Sequence, residues 1–435
     1  MYQQLIDYYS NRSVLILGFG REGRSTYEFI RKYLPEKDLT IADKNKIEID
    51  DNNVTLICGE NYLDCVNNFD LVMKSPGISF KDVKVDENTE VTCQTDLFLR
   101  FSDCKAIGIT GTKGKTTTSS LIYSVLKEAG FNTCLIGNIG VPVFENLIGA
   151  EKLTAVIEMS SHQLEFTRKS PHIAVLTNVY PEHLDHYNGF EGYVNAKLNI
   201  VRNQSVDDFF VYCPDQDISQ YIDFKEIKSD ITPVSYKKTS HSDFFNELFN
   251  SNEHLKGEHN KQDILFAYSV AKILGVSDED ILKGIKAFQG IPHRMEYVGT
   301  FKDIKFYNDC IATIPHAVIC AVEALEDVDT LIIGGMDRGL DYSEFEQDLA
   351  KSKISNLICL PETGHNIADN LKKIENSLKI YKAKDLPDAV EKAYEVTQKG
   401  MTCLLSPAAS SYNYYKNFEE KGTHYKNLVK QLGEK

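Results

Sequence analysis

The sequence is short of positive charge: 48 lysines and arginines stand against 63 aspartates and glutamates, a formal net charge of −15. That balance argues against nucleic acid or an anionic membrane as the main partner, and any anionic small substrate must meet local positive groups. The ten cysteines contain no C-x-x-C. Neither a zinc cage nor a redox pair is indicated, and reduced cytosolic thiols are the expectation. The opening Met1-Tyr2-Gln3-Gln4-Leu5-Ile6-Asp7 lacks the basic region and apolar run of a signal peptide. No apolar segment approaches the roughly 18 residues needed to span a bilayer. A cytoplasmic protein without a membrane span is expected, and no internal repeat or low-complexity tract stands out.

What is present reads as α/β throughout. Hydrophobic residues make up 42% and charged residues 26% of 435 positions, an ordinary soluble composition whose length suggests about three domains. The most informative stretch is Gly108-Ile109-Thr110-Gly111-Thr112-Lys113-Gly114-Lys115-Thr116-Thr117-Thr118. Ala106, Ile107 and Ile109 predict a buried strand before it; Leu121, Ile122, Val125 and Leu126 predict a helix behind it, ended by Gly130. Glycines let such a turn wrap an anion with its N–H groups and the positive helix end. Lys115 would reach terminal phosphates, and the Thr116 hydroxyl would hold magnesium. Ile109 occupies the first glycine position of the strict phosphate-loop pattern, so the usable core is Gly111-x-x-Gly114-Lys115-Thr116.

Ahead of this loop, Val14–Leu17 reads as a strand, Gly18-Phe19-Gly20-Arg21-Glu22-Gly23 as a turn, and about Ser25 to Leu34 as a helix. Leu39–Asp43 is the next strand and closes with an acid. This is the spacing of a dinucleotide fingerprint, or of a Rossmann-like unit whose glycines serve only close packing. Lys74-Ser75-Pro76-Gly77-Ile78 is a second strand-to-turn site, or a plain turn. In the middle of the chain, Val156-Ile157 leads into Glu158-Met159-Ser160-Ser161-His162-Gln163, and Ala174-Val175-Leu176 leads into Thr177-Asn178. Thr239-Ser240-His241-Ser242-Asp243 reads as a surface loop. After Pro292, Thr330–Ile333 enters Gly334-Gly335-Met336-Asp337-Arg338-Gly339, and Cys403-Leu404-Leu405 enters Ser406-Pro407-Ala408. Three units are expected, 1–94, 95–292 and 293–435. Taken singly, His183 reads equally as a structural histidine and Lys197 as a surface helix lysine.

Together these segments resemble the Mur ligases, the ATP-dependent amide-forming enzymes of peptidoglycan precursor synthesis. Gly111–Thr117, Glu158–Gln163, Thr177-Asn178 with Glu182-His183-Leu184-Asp185, and His293-Arg294-Met295-Glu296 match that family's successive motifs. Gly18–Gly23, Ser75–Ile78, Asn308-Asp309 and Ser406 through Asn417-Phe418-Glu419 are most similar to the glutamate-adding, MurD-type branch. The resemblance covers essentially the whole chain. It implies a Rossmann-like N-terminal domain for the UDP end of the substrate, a central phosphate-loop ATPase and a C-terminal Rossmann-like domain closing over ATP and amino acid.

By that resemblance, Gly18, Gly20, Gly23, Asp43, Ser75, Gly77, Asn138 and Ser160 would take the UDP-substrate, UDP-N-acetylmuramoyl-L-alanine. Gly111, Thr112, Lys113, Gly114, Lys115, Thr116, Thr117, Asn260, Arg294 and Asp309 would take ATP. Two magnesium ions would rest on Thr116 and Glu158, and on His183 and a CO2-carboxylated Lys197. Carboxylation explains the lysine, because an ammonium repels magnesium and a carbamate supplies oxygen anions. Lys115, Glu158, His183 and Lys197 would be the catalytic set; Thr313, Arg338, Ser406 and Tyr412 would hold glutamate in a monomeric enzyme.

Departures from the branch concentrate in the amino-acid pocket. Cys310-Ile311-Ala312-Thr313-Ile314-Pro315 replaces the usual Ser-Lys-Ala-Thr-Asn, and Arg338 stands where a lysine is usual. Ligases adding L-glutamate resemble this chain in the first of those segments, although D-glutamate is the expectation from the enclosing pattern. Asp263 stands where the family often has a second adenine-side asparagine. A folate-polyglutamate ligase shares the phosphate-loop architecture but not the fingerprint at Gly18, and a silent nucleotide-binding module would not need Lys115, Glu158, His183 and Lys197 together.

Overall fold

The computed structural model describes residues 2–434 apart from 139–142, 147–152, 185, 216, 217, 219, 240, 241, 253, 256 and 338. It forms two compact units, Met1–Phe288 and Gln289–Lys435. The first holds two sheets. One consists of β1 (Val14–Leu17), β2 (Leu39–Asp43), β3 (Val54–Cys58), β4 (Leu71–Lys74) and β5 (Glu90–Thr92), in the order β3-β2-β1-β4-β5 and parallel throughout. The other consists of β6 (Lys105–Thr110), β7 (Thr133–Gly137), β8 (Thr154–Glu158), β9 (Ile173–Leu176), β10 (Phe209–Tyr212) and β11 (Asp230–Pro233). Its order is β11-β10-β9-β6-β8-β7, also parallel.

Parallel strands are covered on both faces, so they read as unbroken apolar runs. Every residue of β1, β4, β8 and β9 is buried. One apolar cluster runs through the unit from Leu5, Ile16 and Phe29, by way of Leu97 and Phe98, to Ile157, Leu176 and Phe210. The helix after the first glycine turn spans Arg21–Tyr33, four residues earlier than the apolar pattern predicts. Its first turn carries Arg21, Glu22 and Gly23, which give no apolar signal, and Gly23 is there for proximity. A Cβ on Gly23 would lie 2.0 Å from the Gly18 carbonyl oxygen, so only glycine lets the helix start this close to β1.

The second unit is one sheet: β12 (Glu296–Phe301), β13 (Ile304–Asn308), β14 (Val328–Ile333), β15 (Asn356–Cys359), β16 (Lys379–Lys382) and β17 (Thr402–Leu405). The order is β12-β13-β17-β14-β15-β16, with only the β12–β13 hairpin antiparallel. The α/β class with mainly parallel sheets is therefore as the sequence indicates. Of the expected Thr239–Asp243 loop, Ser240 and His241 lie outside the described residues, and Ser242 caps the helix Asp243–Asn250 by accepting from the Phe245 N–H. Among the described residues no helix is long and apolar enough to cross a membrane.

Candidate active site

The order of the second sheet reverses around β6, whose neighbours are β9 and β8. Ligands of open α/β sheets bind in the crevice at such a reversal, beyond the carboxyl ends of the strands. The phosphate loop follows β6, Glu158 ends β8 and Thr177-Asn178 follow β9, so topology delivers three separate motifs to one crevice. The loop is fixed before any ligand arrives. Asn178 O accepts from the Thr112 N–H at 2.9 Å, Asn178 Oδ1 from the Lys113 N–H at 2.8 Å, and Thr177 Oγ1 donates to Lys113 O at 2.7 Å. Gly111 has φ +151° and a Cβ there would lie 1.9 Å from Thr177 Oγ1. Gly114, at φ +82°, opens the helix Lys115–Glu128, in whose first turn Thr116 and Thr117 are half-buried.

Two lysines converge on this loop. Lys115 Nζ donates to Gly111 O and Thr112 O, both at 2.9 Å, and Lys197 Nζ donates to the same Gly111 O at 2.7 Å. Lys197 is not at the surface; it is 1% exposed, with Nζ 4.6 Å from the Tyr193 ring centroid. Burial first, and the charge of Lys115 second, push its amine well below the ordinary lysine range, against the pull of Glu182 and Glu158. Glu158 is buried, its Oε1 accepts from Asn138 Nδ2 at 2.7 Å, and its Oε2 has no partner. Lys113 pairs with Glu182 at 2.8 Å on the exposed rim. Asn260 lies in the first turn of the helix Glu258–Ile273. Asp263, one turn on, accepts from Thr118 Oγ1 at 2.9 Å. Burial raises the Asp263 carboxyl to about 7.

His183 takes φ +55° and packs its ring 4.8 Å from that of His162, which lies 4.2 Å from His186. Burial, then His186 and His183, hold His162 down to about 4. Among the described residues no three His, Cys, Asp or Glu side chains form a metal cluster. A cation in this crevice would rest on a mixed set instead, the Thr116 hydroxyl and the Glu158 carboxylate. The partnerless Oε2 of Glu158 is a donor of the hard, anionic kind that magnesium selects.

A cavity of about 460 Å³ opens at the carboxyl ends of β1, β2 and β4. It gathers Gly18, Gly20, Asp43, Ser75, Gly77 and Asn138. Gly23 sits behind the wall, and Ser160 caps a short helix through Gln163, itself a wall residue. Asp43 braces the wall as well as lining it, since its carboxylate accepts from the Phe19 N–H at 2.7 Å and the Asn45 N–H at 2.8 Å. Glu22 and Gln163 are lining residues that the glycine spacing does not announce. Gln163 Nε2 donates to Glu22 Oε1 at 2.9 Å, Glu22 Oε2 has no partner, and burial raises the Glu22 carboxyl. A larger cavity, about 730 Å³, lies at the amino ends of the same sheet beside Val14, Leu39 and Thr55, where α/β sheets do not present their ligand loops.

In the second unit, Asp309 directly follows β13, which ends in Asn308, and Ser406 directly follows its neighbour β17. Ser406 Oγ donates to Asp309 Oδ2 at 2.8 Å and the Met295 N–H to Oδ1 at 3.2 Å, while burial raises the Asp309 carboxyl to about 6. Arg294 adds a nearby positive charge that opposes the rise. Thr313 is half-buried and Tyr412 is 64% exposed. Arg338 lies outside the described residues.

Residues 109–274 match the model of the Mur ligase middle domain, and residues 293–409 that of the Mur ligase glutamate ligase domain. The UDP-N-acetylmuramoylalanine–D-glutamate ligase of Ligilactobacillus salivarius is 35% identical, with 99% of each chain covered. The chain belongs to the Mur ligase family. The enzyme of the same name from Acetivibrio thermocellus is 32% identical over 97% of each chain. Among solved structures, the Thermotoga maritima UDP-N-acetylmuramate–alanine ligase superposes with a TM-score of 0.54 at 18% identity, covering 97% of this chain and 100% of that one. A MurF ligase from the same organism, in complex with ADP, gives 0.52 at 15% identity, covering 96% and 95%. At such identities these structures establish that the Mur ligase fold is shared.

Proposed function

We propose that the protein is an ATP-dependent ligase that joins D-glutamate to UDP-N-acetylmuramoyl-L-alanine in peptidoglycan precursor synthesis. The observation that carries this reading is the 35% identity to a D-glutamate ligase over 99% of both chains. The glycine-lined cavity beside Asn138 and the preformed phosphate loop support it. We assign residues 1–94 to the UDP end of the substrate, 95–292 to ATP and 293–435 to glutamate, in a cytoplasmic monomer.

The chemistry follows from what a carboxylate lacks. Its own oxygen is a poor leaving group, so the alanyl carboxylate attacks the γ-phosphorus of ATP, the bond from that phosphorus to the bridging oxygen breaks, ADP leaves, and the carboxylate becomes an acyl phosphate. The glutamate amine then displaces phosphate and forms the amide. Lys115, already over the loop, meets charge that develops on the transferring phosphoryl group, and the loop N–H groups orient the triphosphate. Asn138 holds Glu158 in place from one side. Thr116 and Glu158 would hold one magnesium, and His183 with carboxylated Lys197 a second; bound magnesium supplies charge neutralisation on the phosphates. Burial lowers the proton affinity of Lys197 and so favours the neutral amine, the form that adds CO2 with release of one proton as the carbamate forms. Ser406 and Thr313 are assigned to glutamate together with Tyr412 and Arg338, whose planar fork suits a carboxylate. Arg294 and Asp309 are assigned to the ATP ribose, and Asn260 to the adenine.

A second reading, ligation of L-glutamate, is favoured by one observation: Cys310-Ile311-Ala312 lacks the lysine usual in D-glutamate ligases. Phosphate release with Mg-ATP and UDP-N-acetylmuramoyl-L-alanine, measured against D- and L-glutamate separately, decides between them. Release with D-glutamate alone supports the first reading. Release with L-glutamate alone replaces it with the second, and release with neither rejects both.

A further inference from the structure

The second unit contains a cavity that no step above uses. It measures about 300 Å³ and is bounded by Leu360, Pro361, Leu386, Tyr414, Lys421 and His424. These residues come from segments that follow β15, β16 and β17, so the cavity sits at the carboxyl ends of a parallel sheet, where such folds bind small molecules. Its walls are chiefly apolar, and its size is at the lower end of that of small-molecule sites. Asp385, Asn413, Tyr415 and His424 add polar groups, the Asp385 carboxylate being taken up by the Asp388 N–H at 2.9 Å at the start of its own helix. The buried cation among them is Lys421, which is 3% exposed.

A buried ammonium normally has an acid beside it, because an unpaired charge in a low-dielectric interior is costly. Lys421 has no carboxylate partner among the described residues. Its Nζ donates to the Gly334 carbonyl oxygen at 2.9 Å, which leaves hydrogens of a three-donor group for another acceptor. Burial lowers its proton affinity, with the Cys310 thiol as the opposing influence. The polar residues that share the cavity are engaged with their own partners: Tyr415 OH and His424 Nδ1 are 2.9 Å apart, and Asn413 Nδ2 reaches Pro361 O at 3.4 Å.

We propose that this cavity is a binding site for a small organic monocarboxylate, its carboxylate on Lys421 Nζ and its apolar body against Leu360, Pro361, Leu386 and Tyr414. An anion there completes the charge pair that the protein leaves open, and an apolar body displaces water from walls that cannot hydrogen-bond it. Asn413 and Tyr414 adjoin Tyr412, assigned above to glutamate, so occupancy would bear on that segment. The binding itself does not depend on the ligase reading.

The test is isothermal calorimetry on the full chain without ATP, using benzoate and its neutral counterpart benzamide as probes. Saturable benzoate binding, with benzamide weaker by about tenfold or more, is expected from loss of one charge-assisted hydrogen bond. Lys421→Met should erase that preference, and Tyr414→Ala, a change at an exposed wall residue, should weaken benzoate severalfold with an unchanged melting temperature. Equal affinity for the two probes, or no saturation with benzoate, would overturn the proposal. So would undiminished benzoate binding by Tyr414→Ala, which would place the probe elsewhere; if Lys421→Met does not fold, the wild-type comparison and Tyr414→Ala decide alone.

Discussion

The crevice beyond β6 and the cluster beyond β13 and β17 are built alike, from loops at the carboxyl ends of parallel strands, yet they centre on opposite kinds of group. At the first, the Lys115 and Lys197 amines share one carbonyl oxygen, that of Gly111. At the second, the group in the centre is an acid, Asp309, held by Ser406 and the Met295 N–H. The first is a backbone cradle closed by its own hydrogen bonds and biased toward anions. The second leaves Thr313 and Tyr412 partly or largely open to solvent. Handling a triphosphate demands a preformed, positively biased backbone, whereas Thr313 and Tyr412, proposed to hold glutamate, are the more accessible side chains.

The sharpest way to break that contrast is to remove the charge that defines the cradle. Lys115→Ala should lower ATP-dependent phosphate release by more than about a hundredfold, the scale of a single electrostatic contribution, with a melting temperature near that of the parent. Near-normal turnover in a folded variant would mean that the loop does not handle phosphate. Lys197→Ala should be almost as inactive, and short-chain carboxylates should partly restore it if the native group is a carbamate. Rescue by an added amine would show that an ammonium is what the site needs.

Smaller effects separate the two acids. Asp263 beneath the phosphate loop is raised to about 7 and Asp309 to about 6, both above the ordinary carboxylate range and both by burial first. A raised carboxyl holds its proton more tightly in the folded state. Stability is therefore greatest below about pH 4 as far as these groups are concerned, and falls as pH rises to the folded value, by at most about 1.4 kcal/mol per pH unit for each. Asp263→Asn should remove a decline between about pH 4 and 7, and Asp309→Asn a shorter one between about pH 4 and 6. Melting temperatures across pH 4–8 check this; parallel curves for parent and variants would show that neither acid is shifted.

The same contrast sets what the sequence discloses. Strands β1, β8, β9 and β17 are legible because double-sided burial makes them continuous apolar runs, and the phosphate loop because glycines and a Lys-Thr pair occur together. The early helix start at Arg21 is not legible, since the need for Gly23 comes from a carbonyl five residues back in contact across a turn. Lys197 looks like a surface lysine because no local pattern announces that the helix Gly189–Arg202 presses it onto Gly111. Glu22 and Gln163 lie on the helices Arg21–Tyr33 and Ser161–Leu164 and are 141 residues apart in the chain, so only the folded structure brings them together. The buried Lys421 follows Glu420 in an ordinary charged run, and its missing counter-ion is visible only in three dimensions.

The central claim, activation of the substrate carboxylate by phosphoryl transfer, is tested most directly with UDP-N-acetylmuramoyl-L-alanine labelled with oxygen-18 in the alanyl carboxylate. Incubated with Mg-ATP and D-glutamate, the protein should release phosphate carrying one labelled oxygen, detected by mass spectrometry, in step with formation of the glutamyl amide. Unlabelled phosphate, or phosphate released equally well without glutamate, would contradict the account.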